Sequence, residues 1–498
     1  MICFLTKVNY DNMMPFGIIS IASNEVFYNA SSGTIMPWGP IQNTDHLPLY
    51  EAVYKQLRDG IRAGLISGRL PSKNQAAAQL KVSKITIEQA YNQLKAEGYI
   101  QARPRSGYFV EFKYAQDAAK TSRPEPVFAA ENKADFTYDL STYAVSAESF
   151  PFAIWSRLSR KVLAEEGGKL VNSTPSKGIL SLRQQIALYL QSYRGIQVHP
   201  EQILVGAGTE WVSSLFIQLL GPRKRFAIEN PGYGKIWRIL AAHGLQMVRI
   251  SMREDGLDLV ELQRAKPDVV HITPSHHFPL GTVMPVQQRQ ALLNLAERLD
   301  FHIIEDDYDS EFRFGGRPIP ALKSLDSAGR VIYINTFAKS LAPSLRISYM
   351  VLPPLLLEKY EREFSFYSCT VPGFEQYVMA RFMGEGHFSR HLNRMKAVYR
   401  AKHDALLDAL EKSTFSQRLR ISGKNAGLHF LLQLTGLFSE KEMLARAMQQ
   451  GIRLNGLSEF YSQKKGIPRS TVVVGFARLP DNAVPELVRK LEIAWGVF

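Results

Sequence analysis

Cysteine is nearly absent: the 498 residues carry two, Cys3 and Cys369. Thiols so few and so far apart exclude a disulfide framework and a cysteine-ligated metal cluster, and they suit a reducing cytoplasm. Long apolar runs are missing too, since none reaches the roughly 18 residues that cross a bilayer. The N-terminus, MICFLTKVNYDNMMPFGIIS, lacks the basic leading region of a signal peptide, and Asp11 interrupts it before its second apolar stretch. Acidic residues are outnumbered, 46 against 60 Lys and Arg, for a net charge of +14. That surplus suggests a polyanionic partner without requiring one. What is present is ordinary globular sequence, 45% hydrophobic and 21% charged, which excludes disorder and collagen-like structure. The length exceeds a single ordinary domain.

The chain reads as four stretches. Residues 1–46 have weak periodicity. They are expected to be an unassigned extension, an extra strand or arm, or sequence ahead of a true start at Met36. Residues 47–112 form a helical unit ending in a hairpin. Leu49, Val53, Leu57 and Ile61 recur every four residues, which makes an amphipathic helix. Gly64 and Gly68 bracket a turn, Pro71-Ser72 opens a second helix (KNQAAAQL), and Ser83 caps a third (KITIEQAYNQLKA). YIQAR and YFVEF then flank the turn residues Pro104-Arg105-Ser106-Gly107. Helix, helix–turn–helix and β-wing make a winged helix–turn–helix. Residues 113–134 are polar, Ala-rich and proline-bearing, the composition of a linker. In residues 135–498, QILVGAG, RFAIENP, DVVHITP, FHIIEDD and VIYINTF alternate with helical stretches. That alternation predicts parallel strands with crossover helices, a large α/β domain with a smaller C-terminal subdomain.

Charge placement is more informative than its total. Residues 47–112 hold ten Lys and Arg against five Asp and Glu, and no acid lies between Gly60 and Ile87. Ser72, Lys73, Ser83 and Thr86 sit at helix starts, where hydroxyls, backbone N–H groups and a cation can hold phosphate. Lys84, Thr86 and Gln89 lie near the start of the third helix, the end that enters the major groove in a helix–turn–helix. Arg103 and Arg105 on the wing are candidate minor-groove or phosphate contacts. A solvated basic face is the ordinary alternative. LPLYEAVYKQLRDGI followed by LPSKNQAAAQLKVSKITIEQAYNQLKAEGYIQARPRSGYFV closely resembles the GntR-type winged helix–turn–helix. That resemblance implies double-stranded DNA as partner. Asn74 stands where the family usually has an arginine, and the loop before Leu70-Pro71 is one residue short.

The chemistry of the large domain starts from two strand ends. FHII runs into Glu305-Asp306-Asp307-Tyr308, and VIYIN runs into Thr336-Phe337-Ala338-Lys339. Open α/β sheets bind ligands past such strand ends. A carboxylate there can pair with a protonated pyridine nitrogen, and a lysine can form a Schiff base with an aldehyde; pyridoxal phosphate needs both. Gly206-Ala207-Gly208-Thr209-Glu210 follows a strand and opens a helix, so its amides can cradle phosphate. Thr336 and Arg346 flank Lys339 with a hydroxyl and a guanidinium fork. Tyr233, in Glu229-Asn230-Pro231-Gly232-Tyr233, can stack on a ring. Each feature alone has an ordinary reading: a surface lysine, a capping or metal-binding Asp pair, a common strand–helix turn. Their ordered combination carries the weight.

That combination resembles the fold-type I aminotransferases, and closely the subgroup fused to a GntR-type domain, the MocR/GabR-type transcriptional regulators. The resemblance covers residues 47–498 and rests on ENPGY, TPSHHFPLGTVMP, EDDYDSEFR and INTFAKSLAPSLRISYM. It implies pyridoxal 5'-phosphate as cofactor, with Lys339 as the Schiff-base lysine. Asp306 would then face the ring nitrogen, Tyr308 bond the phenolic oxygen and Tyr233 stack. Arg346, Thr336, Gly208, Thr209 and Glu210 would hold the phosphate, and His276 would lie beside the cofactor. His277 replaces the usual Gln. Ser173 stands where the family often has a tyrosine, and Val473 where aminotransferases carry a carboxylate-binding arginine; Arg478, Arg453 and Lys235 are candidate substitutes, with an ordinary solvated cation as the alternative for each.

Two readings stay open. The first is a DNA-binding regulator that senses pyridoxal phosphate, with or without a small amino compound. The second is a pyridoxal-phosphate-dependent aminotransferase with an attached DNA-binding module. The missing arginine at Val473 weighs against turnover. No protein metal site and no membrane partner are expected, and a homodimer is expected from the resemblance.

Overall fold

The computed structural model describes residues 16–21, 24–29, 34–36, 47–112, 136–141, 150–314, 319–436, 438–463 and 466–496. The expected linker 113–134 lies outside them. Two compact units emerge, Met1–Glu131 and Asn132–Phe498. In the first unit, Phe16–Ile21 (β1), Asn24–Asn29 (β2) and Thr34–Met36 (β3) pair antiparallel in that order. Three strands thus fall inside the stretch 1–46.

Helices Leu49–Arg62 (α1), Lys73–Leu80 (α2) and Lys84–Ala96 (α3) precede strands Ile100–Arg103 (β4) and Gly107–Val110 (β5). The expected apolar stripe of α1 holds for Val53, Leu57 and Ile61, which are buried, whereas Leu49 is 51% exposed at the first turn. Val53, Leu57 and Ile61 share a core with Leu70, Ile87, Tyr91, Leu94 and Ile100. Ser72 caps α2 in a reciprocal capping box with Gln75, and Ser83 caps α3 through the Thr86 N–H. In the wing, Ile100 pairs with Val110 and Arg103 with Gly107. Residues 68–70 add to its edge: Tyr108 O accepts from Leu70 N–H at 2.8 Å, and Gly68 O accepts from Val110 N–H at 2.8 Å.

The second unit begins with the short strand Tyr138–Asp139 (β6) and helices Phe152–Leu170 (α4) and Leu180–Arg194 (α5). Next come Ile203–Ala207 (β7), Gly208–Leu220 (α6), Arg225–Asn230 (β8), Gly234–Ala242 (α7), Gln246–Arg253 (β9) and Gly256–Leu257 (β10). Val269–Ile272 (β11), His302–Asp307 (β12), Val331–Thr336 (β13) and Ile347–Val351 (β14) complete an eight-stranded sheet of order β10-β9-β8-β11-β12-β13-β14-β7. β9, β8, β11, β12 and β13 are parallel neighbours, as the alternation predicts. β14 runs antiparallel between β13 and β7. Only residues 337–346 separate it from β13, too few for the crossover that a parallel return needs. The sheet is therefore mixed, and β7, β11, β12, β13 and β14 are buried on both faces, whereas β9, beside the short edge strand β10, is largely half-buried or exposed.

The C-terminal part is smaller. Leu419–Ser422 (β15), His429–Leu434 (β16), Ile452–Arg453 (β17), Asn455–Gly456 (β18) and Thr471–Gly475 (β19) follow the long helix His387–Glu411. They make an antiparallel sheet of order β15-β16-β19-β18, while β17 pairs with β6. Its core includes Phe430, Leu432, Val472, Val474, Leu487 and Trp495. No helix among the described residues is long and apolar enough to cross a membrane.

Candidate functional site

Strand alternation explains why one acid of Glu305-Asp306-Asp307 reaches the site. Successive side chains on β12 point to opposite faces. Glu305 accepts from the N–H groups of Leu322 and Lys323 at 2.8 and 2.7 Å. Asp307 pairs with Arg194 at 2.8 Å and accepts from Tyr333 Oη at 2.6 Å. Both are fully committed inside the protein. Asp306, between them, lines a cavity of about 250 Å3 past the strand ends, where His271 Nε2 lies 3.5 Å from its Oδ2.

The same cavity gathers Gly208, Thr209, Glu210, Tyr233, Tyr308, Thr336, Lys339 and Arg346. Nine of the ten cofactor candidates therefore meet in one place, from segments as far apart as β7 and β14. His276 is the exception. It is 2% exposed and does not line the cavity. Its Nδ1 lies 3.0 and 2.9 Å from the Asp309 oxygens and 3.1 Å from Tyr308 Oη. With Nδ1–H donated to Asp309, Tyr308 is left to aim its own O–H into the cavity. Burial raises the Tyr308 pKa, aided by Asp309 and Asp306, so that proton is retained.

Lys339 is deeply buried, and burial depresses its amine to about 8, with the Asp309 carboxylate opposing the shift. A larger neutral fraction at physiological pH makes it a better nucleophile than a surface lysine. α6 starts at Gly208 with no side-chain cap from its N-cap residue Ala207, and Gly208, Thr209 and Glu210 of its first turn line the cavity. Gly208 has φ of +84°, and a Cβ there would lie 2.7 Å from Arg346 Nη2. The left-handed φ favours glycine there, and a larger residue would also displace the end of the Arg346 side chain. Arg346 donates to Ala207 O at 3.2 Å and to Glu210 Oε2 at 3.1 Å, and Lys235 also pairs with Glu210. Thr336 Oγ1 accepts from Ala338 N–H at 3.2 Å.

These features fit pyridoxal phosphate. A helix N-terminus, the guanidinium of Arg346 and the hydroxyl of Thr336 line the cavity, matching a phosphate. A carboxylate at Asp306, a phenol at Tyr308 and the amine of Lys339 match the ring. The Glu210 carboxylate, already paired with both cations, would have to share them with the phosphate.

Several lining residues escape sequence reading. Thr273, Phe278 and Asp309 sit within phrases already singled out, TPSHHFP and EDDYD, so the signal was present. His429 and Leu428 come from β16 and its approach, with no local motif. His276, Asp309 and His429 also bring one donor atom each within 4.8 Å of one another. Of the carboxylate-arginine substitutes, Arg478 and Arg453 lie 3.3 and 3.9 Å from Asp139. Neither lines the cavity, whereas Lys235 does. Val473 is buried on β19.

In the winged unit, Ser72, Ser83, Lys84, Gln89, Arg103 and Arg105 are exposed. Lys73 is drawn into an ion pair with Glu88, and Thr86 Oγ1 bonds Ser83 Oγ at 2.8 Å. Arg103 lies over the Phe109 ring at 4.5 Å, and Arg105 takes a left-handed φ of 59° at the wing tip. Ile85, 68% exposed beside Lys84, is an apolar addition to that surface.

Known proteins share both halves. The model of bacterial regulatory proteins, gntR family, matches residues 49–110, and that of aminotransferase class I and II matches residues 138–491. The uncharacterized HTH-type transcriptional regulator YdeL of Bacillus subtilis (strain 168) is 37% identical over 464 residues, 92% of this chain and 99% of its own. The probable rhizopine catabolism regulatory protein MocR of Rhizobium meliloti is 31% identical over 466 residues, 90% of this chain and 94% of its own. The crystal structure of Pyrococcus horikoshii kynurenine aminotransferase in complex with PMP superposes with a TM-score of 0.64. It is 25% identical and covers 73% of this chain and 91% of its own. A GntR helix–turn–helix domain followed by an aminotransferase class I and II domain, with such relatives along most of its length, places the chain in the family of MocR-type HTH transcriptional regulators.

Proposed function

We propose that this regulator holds pyridoxal 5'-phosphate at Lys339 and alters its grip on operator DNA when that cofactor, or a small amino compound reaching it, occupies the cavity. The observation that supports the cofactor is the convergence of Asp306, Tyr308, Lys339, Arg346 and the uncapped start of α6 on one cavity. Bound there, the cofactor supplies an electron-withdrawing ring and an aldehyde for an amine. Asp306 would hold the ring-nitrogen proton, Tyr308 donate a hydrogen bond to the ring oxygen, Tyr233 pack on the ring, Arg346 offset the charge of the phosphate, and Thr336 donate its hydroxyl to it.

The winged unit would read double-stranded DNA, with Lys84 and Gln89 at the start and first turns of α3 and Arg103 and Arg105 on the wing. We take the working unit to be a homodimer, with apolar Phe152, Leu163 and Val171, exposed on and after α4, as surface for a second copy. Aminotransferase turnover is the second reading. Against it stands the buried Val473, with Arg478 and Arg453 engaged at Asp139 outside the cavity.

The test is direct. Full-length protein mixed with pyridoxal phosphate and reduced with borohydride should carry the cofactor on Lys339, and Lys339→Ala should carry none. A wild-type chain that takes up no cofactor would sink the reading.

A further inference from the structure

A second cavity, of about 270 Å3, shares Tyr233 and Thr273 with the first but contains neither Lys339 nor Arg346. Its lining is built by α7, the end of β8, β9 and residues 459–462. Two arginines belong to it, Arg249 on β9 and Arg238 on α7. Arg249 is half-buried, and its guanidinium lies 4.8 Å from the ring centre of Trp237. Burial lowers its pKa, and no carboxylate offsets that cost. Neither guanidinium has a hydrogen bond or ion pair among the described residues.

The acids of the cavity are occupied differently. Glu229 is buried and accepts from Thr273 N–H and Oγ1 at 3.0 and 2.8 Å. Glu459 accepts from Asn455 Nδ2 and Gly456 N–H at 3.0 and 2.9 Å. The carboxylates are therefore satisfied by neutral donors, while the guanidinium groups are left for something that enters. A planar fork stacked on an indole, in a concave site with its anionic neighbours already bonded, is a receptor for a carboxylate. His271 adds a donor or acceptor: it is 3% exposed, lines this cavity, and its Nε2 makes no hydrogen bond among the described residues.

We propose that this cavity binds a small organic carboxylate, held by Arg249 and Arg238 against Trp237. Occupancy would be felt in the first cavity through shared groups. Tyr233 and Thr273 line both, and His271 lies 3.5 Å from Asp306. The binding claim does not depend on any cofactor at Lys339.

Calorimetric titration of the full chain with succinate, glutarate and inorganic phosphate tests it. At least one dicarboxylate should bind saturably. Arg249→Gln should weaken that binding about tenfold or more, and Arg249→Lys should restore part of it. Lys339→Ala should leave it unchanged, and Arg249→Gln should still trap cofactor at Lys339. If Arg249→Gln proves unstable, the exposed Arg238→Gln replaces it, with an expected weakening of about two- to fivefold. No saturable binding by either dicarboxylate, binding of phosphate alone, or binding lost in Lys339→Ala but kept in the arginine variants would overturn the proposal.

Discussion

Lys84 and Arg105 stand exposed on the winged unit and form no ion pair among the described residues, whereas Arg346 and Lys235 in the other unit converge on a single carboxylate, Glu210. The difference matches two kinds of phosphate. Scattered, hydrated cations attract a long polyanion and exchange its counterions, with little geometric demand. Converging cations beside a glycine turn and a helix start would suit one small phosphate, which would have to share them with Glu210. Net charge of the whole chain reports neither arrangement.

That contrast can be broken at four points. Arg346→Ala should weaken pyridoxal phosphate binding about ten- to a hundredfold, the cost of losing charged hydrogen bonds, with DNA binding in the absence of cofactor unchanged. Equilibrium dialysis and a gel shift read the two effects. Lys84→Ala should do the reverse: DNA affinity falls across sequences, and the slope of log affinity against log salt drops by about one, with cofactor uptake intact. An unchanged slope would remove Lys84 from the interface. Glu210→Gln should strengthen cofactor binding about two- to fivefold, since it deletes a negative charge beside the phosphate; weaker binding would mean that the carboxylate positions Arg346 more than it competes.

The smallest effect is a pH shift. Attachment at Lys339 needs the neutral amine, so its rate should rise with pH through about 8. Asp309 is the carboxylate that holds the protonated amine up. Asp309→Asn should therefore move the midpoint to lower pH in stopped-flow absorbance, and a rise would contradict the assignment.

Much of this was legible in the sequence because the relevant residues sit at ends of regular elements. Capping serines, a turn rich in Pro and Gly, and apolar spacing place α1 to α3 and the wing. Strand ends place Asp306 and Lys339, and alternation along β12 explains why Glu305 and Asp307 do not join them. What stayed hidden depended on contacts distant in sequence. His429 reaches the cavity from the C-terminal sheet, and His276 stands behind its lining, bonded through Nδ1 to Asp309 and Tyr308. The reversal of β14 was readable only from the shortness of residues 337–346. The pairing of Lys73 with Glu88, fifteen residues on, likewise depends on how α2 packs against α3.

The most direct test joins the two units. DNA duplexes selected from a random pool by the full-length protein would be titrated with and without pyridoxal phosphate, for wild type and Lys339→Ala, at one salt concentration. The account predicts that the cofactor changes wild-type affinity several-fold and leaves Lys339→Ala unmoved. Identical wild-type curves with the cofactor demonstrably bound would contradict it.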